Sequence, residues 1–256
     1  NPCKDEVVLN PTKTIKHPLV NFVFSKSKET VWNLIVNSGA VTDHCEKNIG
    51  PDGKCLDLSG QVKEYRYLGL KNNEAQWSQL GSTVASGLRN SMGLVSHRSG
   101  ALIQFENSRD FPEAEEPHEE LNVLIRGKHY GWPYCYNFAG KSPEWMKLNH
   151  FSCDSSNLQY QAPYTLLPPH VAPLDAFYYE GDLFPELQNH LLVSFHGYRE
   201  AGQKIAAYPV DSQGLPLLSA APFTYSSLDA KSQSFLQKEF SAKGGIPQHS
   251  SFKELV

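Results

Sequence analysis

Three times along the chain a short apolar strand, a tight polar turn and a second apolar strand ending in polar residues follow one another. The first copy is Asn21-Phe22-Val23-Phe24, a turn from Ser25 to Thr30, then Val31-Trp32-Asn33-Leu34-Ile35-Val36 and Asn37-Ser38-Gly39. The second is Gly93-Leu94-Val95-Ser96, the turn His97-Arg98-Ser99-Gly100, then Ala101-Leu102-Ile103-Gln104-Phe105 and Glu106-Asn107-Ser108. The third runs Leu174-Asp175-Ala176-Phe177-Tyr178-Tyr179, a loop through Pro185, then His190-Leu191-Leu192-Val193-Ser194-Phe195-His196-Gly197. Each copy reads as a β-hairpin. A hairpin cannot bury its own faces, so recurrence at roughly 70–80 residues predicts sheets stacked radially, as in a propeller. The spacing exceeds the ~40–50 residues of compact blades and predicts insertions. Asp43 to Gly60 and Ser108 to Glu120, both acidic and rich in turn formers, are such insertions. A β-sandwich with three similar hairpins is the alternative on periodicity alone.

Composition agrees with an all-β chain: 18 Gly and 17 Pro accompany 4 Trp, 12 Tyr and 13 Phe in 256 residues. A net charge of −4 gives no electrostatic reason to expect nucleic acid or an anionic membrane as partner. No apolar run approaches the ~20 residues of a membrane span. The start at Asn1, with neither an initiator Met nor a signal peptide, suggests a mature product or a segment of something longer. Helix signals are few. Ser227 to Phe240 is irregularly amphipathic, and Ser142-Pro143-Glu144-Trp145-Met146 suits one short turn with Ser142 as N-cap. None of Cys3, Cys45, Cys55, Cys135 and Cys153 forms a C-x-x-C. Cys45/Cys55 and Cys135/Cys153 are spaced to close local disulfide loops, with buried free thiols as the alternative.

Phosphate-binding glycine loops, the nucleophile elbow and H-E-x-x-H are all absent. Chemistry must come from longer constellations. Arg89-Asn90 puts a guanidinium and an amide at a strand entrance, against the plainer reading of an Arg–carboxylate pair pinning a loop. Glu106-Asn107-Ser108-Arg109-Asp110, His118-Glu119-Glu120-Leu121-Asn122 and Gly127-Lys128-His129-Tyr130-Gly131-Trp132-Pro133 bring carboxylates and turn carbonyls together, a composition that suits Ca²⁺. A solvated acidic loop is the plainer reading there. Gly131-Trp132-Pro133 reads as a structural corner.

In order and spacing, Arg89-Asn90-Ser91-Met92-Gly93, Glu106-Asn107-x-Arg109-Asp110, Glu120-Leu121-Asn122 and His129-Tyr130-Gly131-Trp132-Pro133 resemble the glucose/sorbosone dehydrogenase family. Pro169-His170-Val171-Ala172-Pro173-Leu174, Phe184-Pro185 and His196-Gly197 continue the match, nearest to its sorbosone and pyranose dehydrogenase branch. The resemblance implies a six-bladed β-propeller that oxidises sugars at the anomeric carbon with pyrroloquinoline quinone and Ca²⁺. It implies a periplasmic or extracellular location, a sugar substrate and an external electron acceptor.

Carried over by position, His17 is the general base, Arg89 and Asn90 contact the quinone, and His196 lies where the family places a cofactor-contacting Lys or His. Ser108 and Arg109 offer the backbone carbonyls that hold the quinone-bound Ca²⁺. Glu119, Glu120 and the Tyr130 carbonyl resemble a second, structural Ca²⁺ site. Two departures stand out. The family's chains begin before the His17 position and continue after Val256, so residues 1–256 read as a single partial propeller domain. It holds about four blades' worth, and another polypeptide segment would complete the ring. Asn37-Ser38 also replaces the more usual Gly-Asp or Gly-Ser. These departures motivate a second reading, a catalytically degenerate propeller serving as a binding or structural module. A Ca²⁺-dependent lactonase on a similar propeller is a third.

Overall fold

The computed structural model describes residues 17, 19–26, 32–147, 151–197, 201–219, 249–250 and 253–254. Among them there is no α-helix, and three sheets dominate. The first contains β1 (Leu19–Lys26), β2 (Trp32–Ser38), β3 (Gln61–Lys71) and β5 (Ser82–Ser86), with β4 (Glu74–Trp77) on the far half of β3. The second orders β6 (Asn90–Ser96), β7 (Leu102–Asn107), β8 (His118–Val123) and β12 (Thr165–Pro169). Between β8 and β12 lie the short β9 (Lys128–His129), β10 (Cys135–Tyr136) and β11 (Gly140–Lys141). β9 adds in parallel to the edge of the first sheet. The third sheet orders β13 (Pro173–Tyr178), β14 (His190–Phe195), β15 (Lys204–Pro209) and, beyond β16 (Leu218–Ser219) and β17 (His249–Ser250), β18 (Lys253–Glu254).

The three hairpins read from the repeat are β1–β2, β6–β7 and β13–β14, all antiparallel. In each sheet the first strand is an edge, and β6 packs against both β1 and β13. Three four-stranded antiparallel paths therefore start from one hub and run outward. That is propeller geometry, not two sheets pressed face to face. Three blades lie within the described residues; the pattern at Ser227 to Phe240 and Cys3 fall outside them.

Apolar packing follows from this layout. Ile35, Val62, Val84 and Ala85 of the first sheet meet Leu88, Leu94, Leu102 and Tyr130. On the other face of the second sheet, Ile103, Phe105, Leu121 and Leu167 meet Ala176, Leu191, Val193 and Tyr208 of the third. Each sheet thus buries what a lone hairpin leaves exposed. A third cluster gathers Trp132, Tyr134, Trp145 and Tyr160 around the Cys45–Cys55 and Cys135–Cys153 disulfides. Both spacings are disulfide-closed, and Trp132 is the buried corner expected of Gly131-Trp132-Pro133. Pro143 starts the predicted short turn as a 3₁₀ segment, Pro143–Trp145, although Ser142 at its N-cap makes no side-chain capping bond.

Asn37 explains one departure from the family pattern. Its buried amide accepts the Asn21 N–H at 2.8 Å and donates to the Met92 carbonyl at 2.6 Å, stitching β1 and β2 to β6. Asn21 in turn reaches Asp175 on β13 at 2.7 Å. Asn37→Ala strands two part-buried backbone groups and is expected to cost about 1 kcal/mol, read as a lower midpoint in urea unfolding.

Candidate active site

In all three hairpins the candidate residues occupy one topological position, just before the first strand or just after the second. His17 precedes β1, and Gly39-Ala40 follow β2. Arg89 and the first residue of β6, Asn90, face Asn107 at the end of β7 and Ser108 beyond it. Ala172 precedes β13, and His196 follows β14. Antiparallel pairing puts entry and exit side by side, and the packing of β6 on β1 and β13 brings the three pairs together.

A continuous run of hydrogen bonds links them. The buried His17 imidazole donates from Nδ1 to the Ala40 carbonyl at 2.8 Å. In the neutral ring that bond leaves the lone pair on Nε2. Ala40 N–H donates to the Arg89 carbonyl. A methyl group at Gly39 would overlap the His17 Cβ and press on the Arg89 carbonyl, so the close approach needs glycine. Arg89 Nη1 donates to the Ser108 carbonyl at 2.8 Å. Ser108 N–H and Ala172 N–H, the latter at 3.3 Å, both donate to the Glu119 carboxylate. His196 N–H closes the run on the Ala172 carbonyl at 3.1 Å, its side chain exposed.

Arg89 and Arg109 are both buried in a fence of carboxylates. Arg89 Nη2 sits 2.9 Å from Asp43 and 2.6 Å from Asp110. Arg109 pairs with both oxygens of Glu144 at 2.7 and 2.9 Å, reaches Asp43 at 3.4 Å and lies over the Phe111 ring. Burial pushes the Asp43 carboxyl up, but Arg89, the Asp110 N–H and Arg109 together hold it below its usual value. Asp43 and Glu144 belong to the two disulfide-bearing stretches, and Trp132 Nε1 donates to the Asp43 carbonyl at 2.7 Å. The sequence reading missed both carboxylates. The acidic character of the Asp43 to Gly60 insertion was visible, but not that it reaches Arg89 and Arg109.

Adjacent strand residues point to opposite faces, so Glu119 and Glu120 diverge. Glu119 turns to the backbone amides just described. Glu120 lies across from Glu106 on the other face, beside Gln104 and Asn122. Glu106 accepts the Arg89 and Asn90 amides, and Gln104 at 2.8 Å. Burial drives Glu106 up to about 7 and Glu119 up to about 8, against the N–H groups bonded to them. Burial and then the neighbouring Glu106 carry Glu120 well above the usual carboxylate range. Tyr130 is buried between the first two sheets, its hydroxyl donating to the Val123 carbonyl and accepting from the Ile125 N–H.

These donor sets test the groups that the family resemblance implies. The buried Arg89 and Arg109 Nε atoms have no partner among the described residues, and with Asn90 and His196 these donors suit a planar polyanion. Glu106 and Glu120, with the unpartnered Asn122 Oδ1 and Ser91 Oγ, form an oxygen-only set that suits a hard cation. The Ser108 and Arg109 carbonyls fit a cation poorly on their own, because Ser108 already accepts from Arg89. Among the described residues no three His, Cys, Asp or Glu side chains converge on a metal position.

A family model described as TrAA12-like matches residues 22–221. The chain belongs to the TrAA12-like family. Its membership agrees with the motif resemblance to the sugar dehydrogenases. This TrAA12-like chain is 31% identical over 159 residues to an uncharacterized protein of Borreliella burgdorferi, covering 57% of this chain and 39% of the other. It is 29% identical over 187 residues to a pyrroloquinoline quinone-dependent pyranose dehydrogenase of Coprinopsis cinerea, covering 59% and 25%. The chain thus spans under half the length of either relative. The holo form of the pyranose dehydrogenase PQQ domain from Coprinopsis cinerea superposes with a TM-score of 0.55 at 22% identity, over 80% of this chain and 56% of that one. The calcium structure of a Trichoderma reesei carbohydrate-active enzyme of family AA12 gives 0.55 at 20% identity, over 77% and 55%. At these identities the likeness concerns the fold, and the TrAA12-like chain shares it over more than three quarters of its length.

Proposed function

We propose that this chain carries the site of a quinone-dependent sugar dehydrogenase, oxidising an aldose or related sugar at the anomeric carbon. The observation behind the reading is the shared position of His17, Arg89-Asn90, Ser108 and His196 at the entries and exits of three hub hairpins, joined by one hydrogen-bonded run. Pyrroloquinoline quinone would supply the two-electron acceptor chemistry, and an external acceptor would take the electrons onward. His17, its Nδ1 proton fixed on Ala40, would serve as the base for the anomeric hydroxyl proton. Arg89, with Asn90 beside it, holds and orients the polyanion and opposes negative charge developing on it. His196, exposed at the third exit, supplies a further contact.

Calcium enters at two places in the reading. The Glu106–Glu120 oxygens, with the Tyr130 carbonyl by resemblance, would hold a structural ion. At the Ser108 and Arg109 carbonyls the ligand itself would have to contribute donors. Two disulfides support an oxidising compartment, periplasmic or extracellular. Among the described residues no helix is long and apolar enough to cross a membrane.

The test is titration of the protein with pyrroloquinoline quinone, with and without Ca²⁺, followed by absorbance, then dye reduction with a panel of aldoses. Saturable quinone binding and aldose-dependent reduction are expected. Binding without reduction points to the degenerate module, and absence of both removes the enzyme reading.

A further inference from the structure

Arg89 has four polar partners for its terminal nitrogens, and they differ in one respect. The Asn107 and Ser108 carbonyls are backbone, at 3.3 and 2.8 Å, and Asp43 is largely buried, its side chain 15% exposed. Asp110, at 2.6 Å, is the nearest charged partner and its side chain is 70% exposed. The Arg89 side chain is only 5% exposed, and among the described residues Asp110 is its one exposed charged partner.

The backbone under Asp110 is held independently. Its N–H donates to Asp43 at 3.1 Å, Arg109 just before it is locked on Glu144, and Phe111 just after it packs under the Arg109 guanidinium. The carboxylate can therefore rotate away about its own side-chain bonds without moving the loop, and Arg89 stays anchored by Asp43 and two carbonyls.

We propose that Asp110 is a resident anion on Arg89, and that an anionic ligand binds by exchanging its own carboxylate for that of Asp110. The inference rests on the quinone reading only for the identity of the ligand; the exchange itself requires a carboxylate-bearing molecule. Asp110 is then a specificity residue. A ligand carboxylate arriving beside an undisplaced Asp110 would meet a like charge at contact distance, whereas exchange turns that charge out toward solvent, where it is screened. Neutral or weakly anionic molecules cannot displace it, and a tricarboxylate such as pyrroloquinoline quinone can.

The experiment compares wild type with Asp110→Ala and Asp110→Asn by equilibrium titration, followed by absorbance or intrinsic fluorescence, with no turnover measured. The probes are pyrroloquinoline quinone and citrate. Asp110→Ala is expected to bind pyrroloquinoline quinone about tenfold more tightly, with Asp110→Asn intermediate, and the gain is expected to vanish in Asp110→Ala/Arg89→Lys. Circular dichroism checks that the exposed substitution leaves the fold intact. If both proteins ignore the quinone but Asp110→Ala gains citrate affinity, the exchange stands and the quinone reading falls. If wild type and Asp110→Ala bind the quinone equally, or the variant binds it more weakly, the exchange is overturned and the quinone reading survives. No gain for either probe overturns the exchange outright.

Discussion

His17→Ala is expected to lower turnover of the quinone-loaded protein by about 10²–10⁴-fold, the usual contribution of a positioned general base. Quinone affinity should stay within about threefold of wild type, since no step of the binding argument uses the imidazole. The geometry makes the comparison clean. The Cβ of His17 packs over Gly39, and alanine keeps that atom, so the Gly39-Ala40 turn and its bond to the Arg89 carbonyl remain. What disappears is the ring whose Nδ1 donates to Ala40 and which is proposed as the base. His17→Gln restores bulk but not basicity and should behave like the alanine variant. Turnover within threefold of wild type would remove His17 from the chemistry and leave it as a buried loop histidine.

The hairpins were legible in the sequence because period-two alternation and turn residues are local signals, and each of the three survives at its expected place. Their radial arrangement was less legible. It depends on which face of β6–β7 meets which neighbour, and both faces of that hairpin are apolar enough for a sandwich. Arg89-Asn90 and Asn107-Ser108 could be placed at strand ends from sequence, and antiparallel register then requires them to meet. The carboxylates that hold the arginines were hidden. Asp43 lies 66 residues from Arg109 and Glu144 35 residues, and each arrives on a loop whose course is set by a disulfide and by Trp132 or Trp145 packing. No local pattern encodes that. The resemblance groups Glu119 with Glu120, whereas strand geometry turns them to opposite faces and gives Glu120 a cross-strand partner, Glu106, fourteen positions earlier in the chain.

That cross-strand pair leads to a stability profile unlike that of most proteins. In the presence of a chelator, stability is expected to fall as pH rises from about 4.5 to about 8. A carboxyl whose folded value lies above its unfolded value stabilises the fold fully below the unfolded value, and the contribution is lost as pH climbs through the folded one. Glu106 moves from 4.5 to about 7 and Glu119 to about 8, with burial the main cause in both. The rise at Glu106 alone corresponds to about 3 kcal/mol. Glu106 and Glu120 titrate as a coupled pair, so the loss should spread over the whole window. Asp43 and Glu144 act in the opposite sense, each held below its usual value by its arginine, and their contributions are lost only at lower pH. The chelated protein should therefore be most stable in mildly acid buffer. A hard cation bound by the Glu106, Glu120 and Asn122 oxygens replaces the protons, so Ca²⁺ should raise the unfolding midpoint strongly near pH 8 and little near pH 5. Glu120→Gln removes one charge of the pair without changing its shape, and should make the chelated profile shallower, Glu106 and Glu119 still contributing, while abolishing the calcium response. Urea unfolding at three pH values, with chelator and with Ca²⁺, reads all of this. A chelated profile that is level across the window would mean that the buried carboxylates are not carrying the cost assigned to them.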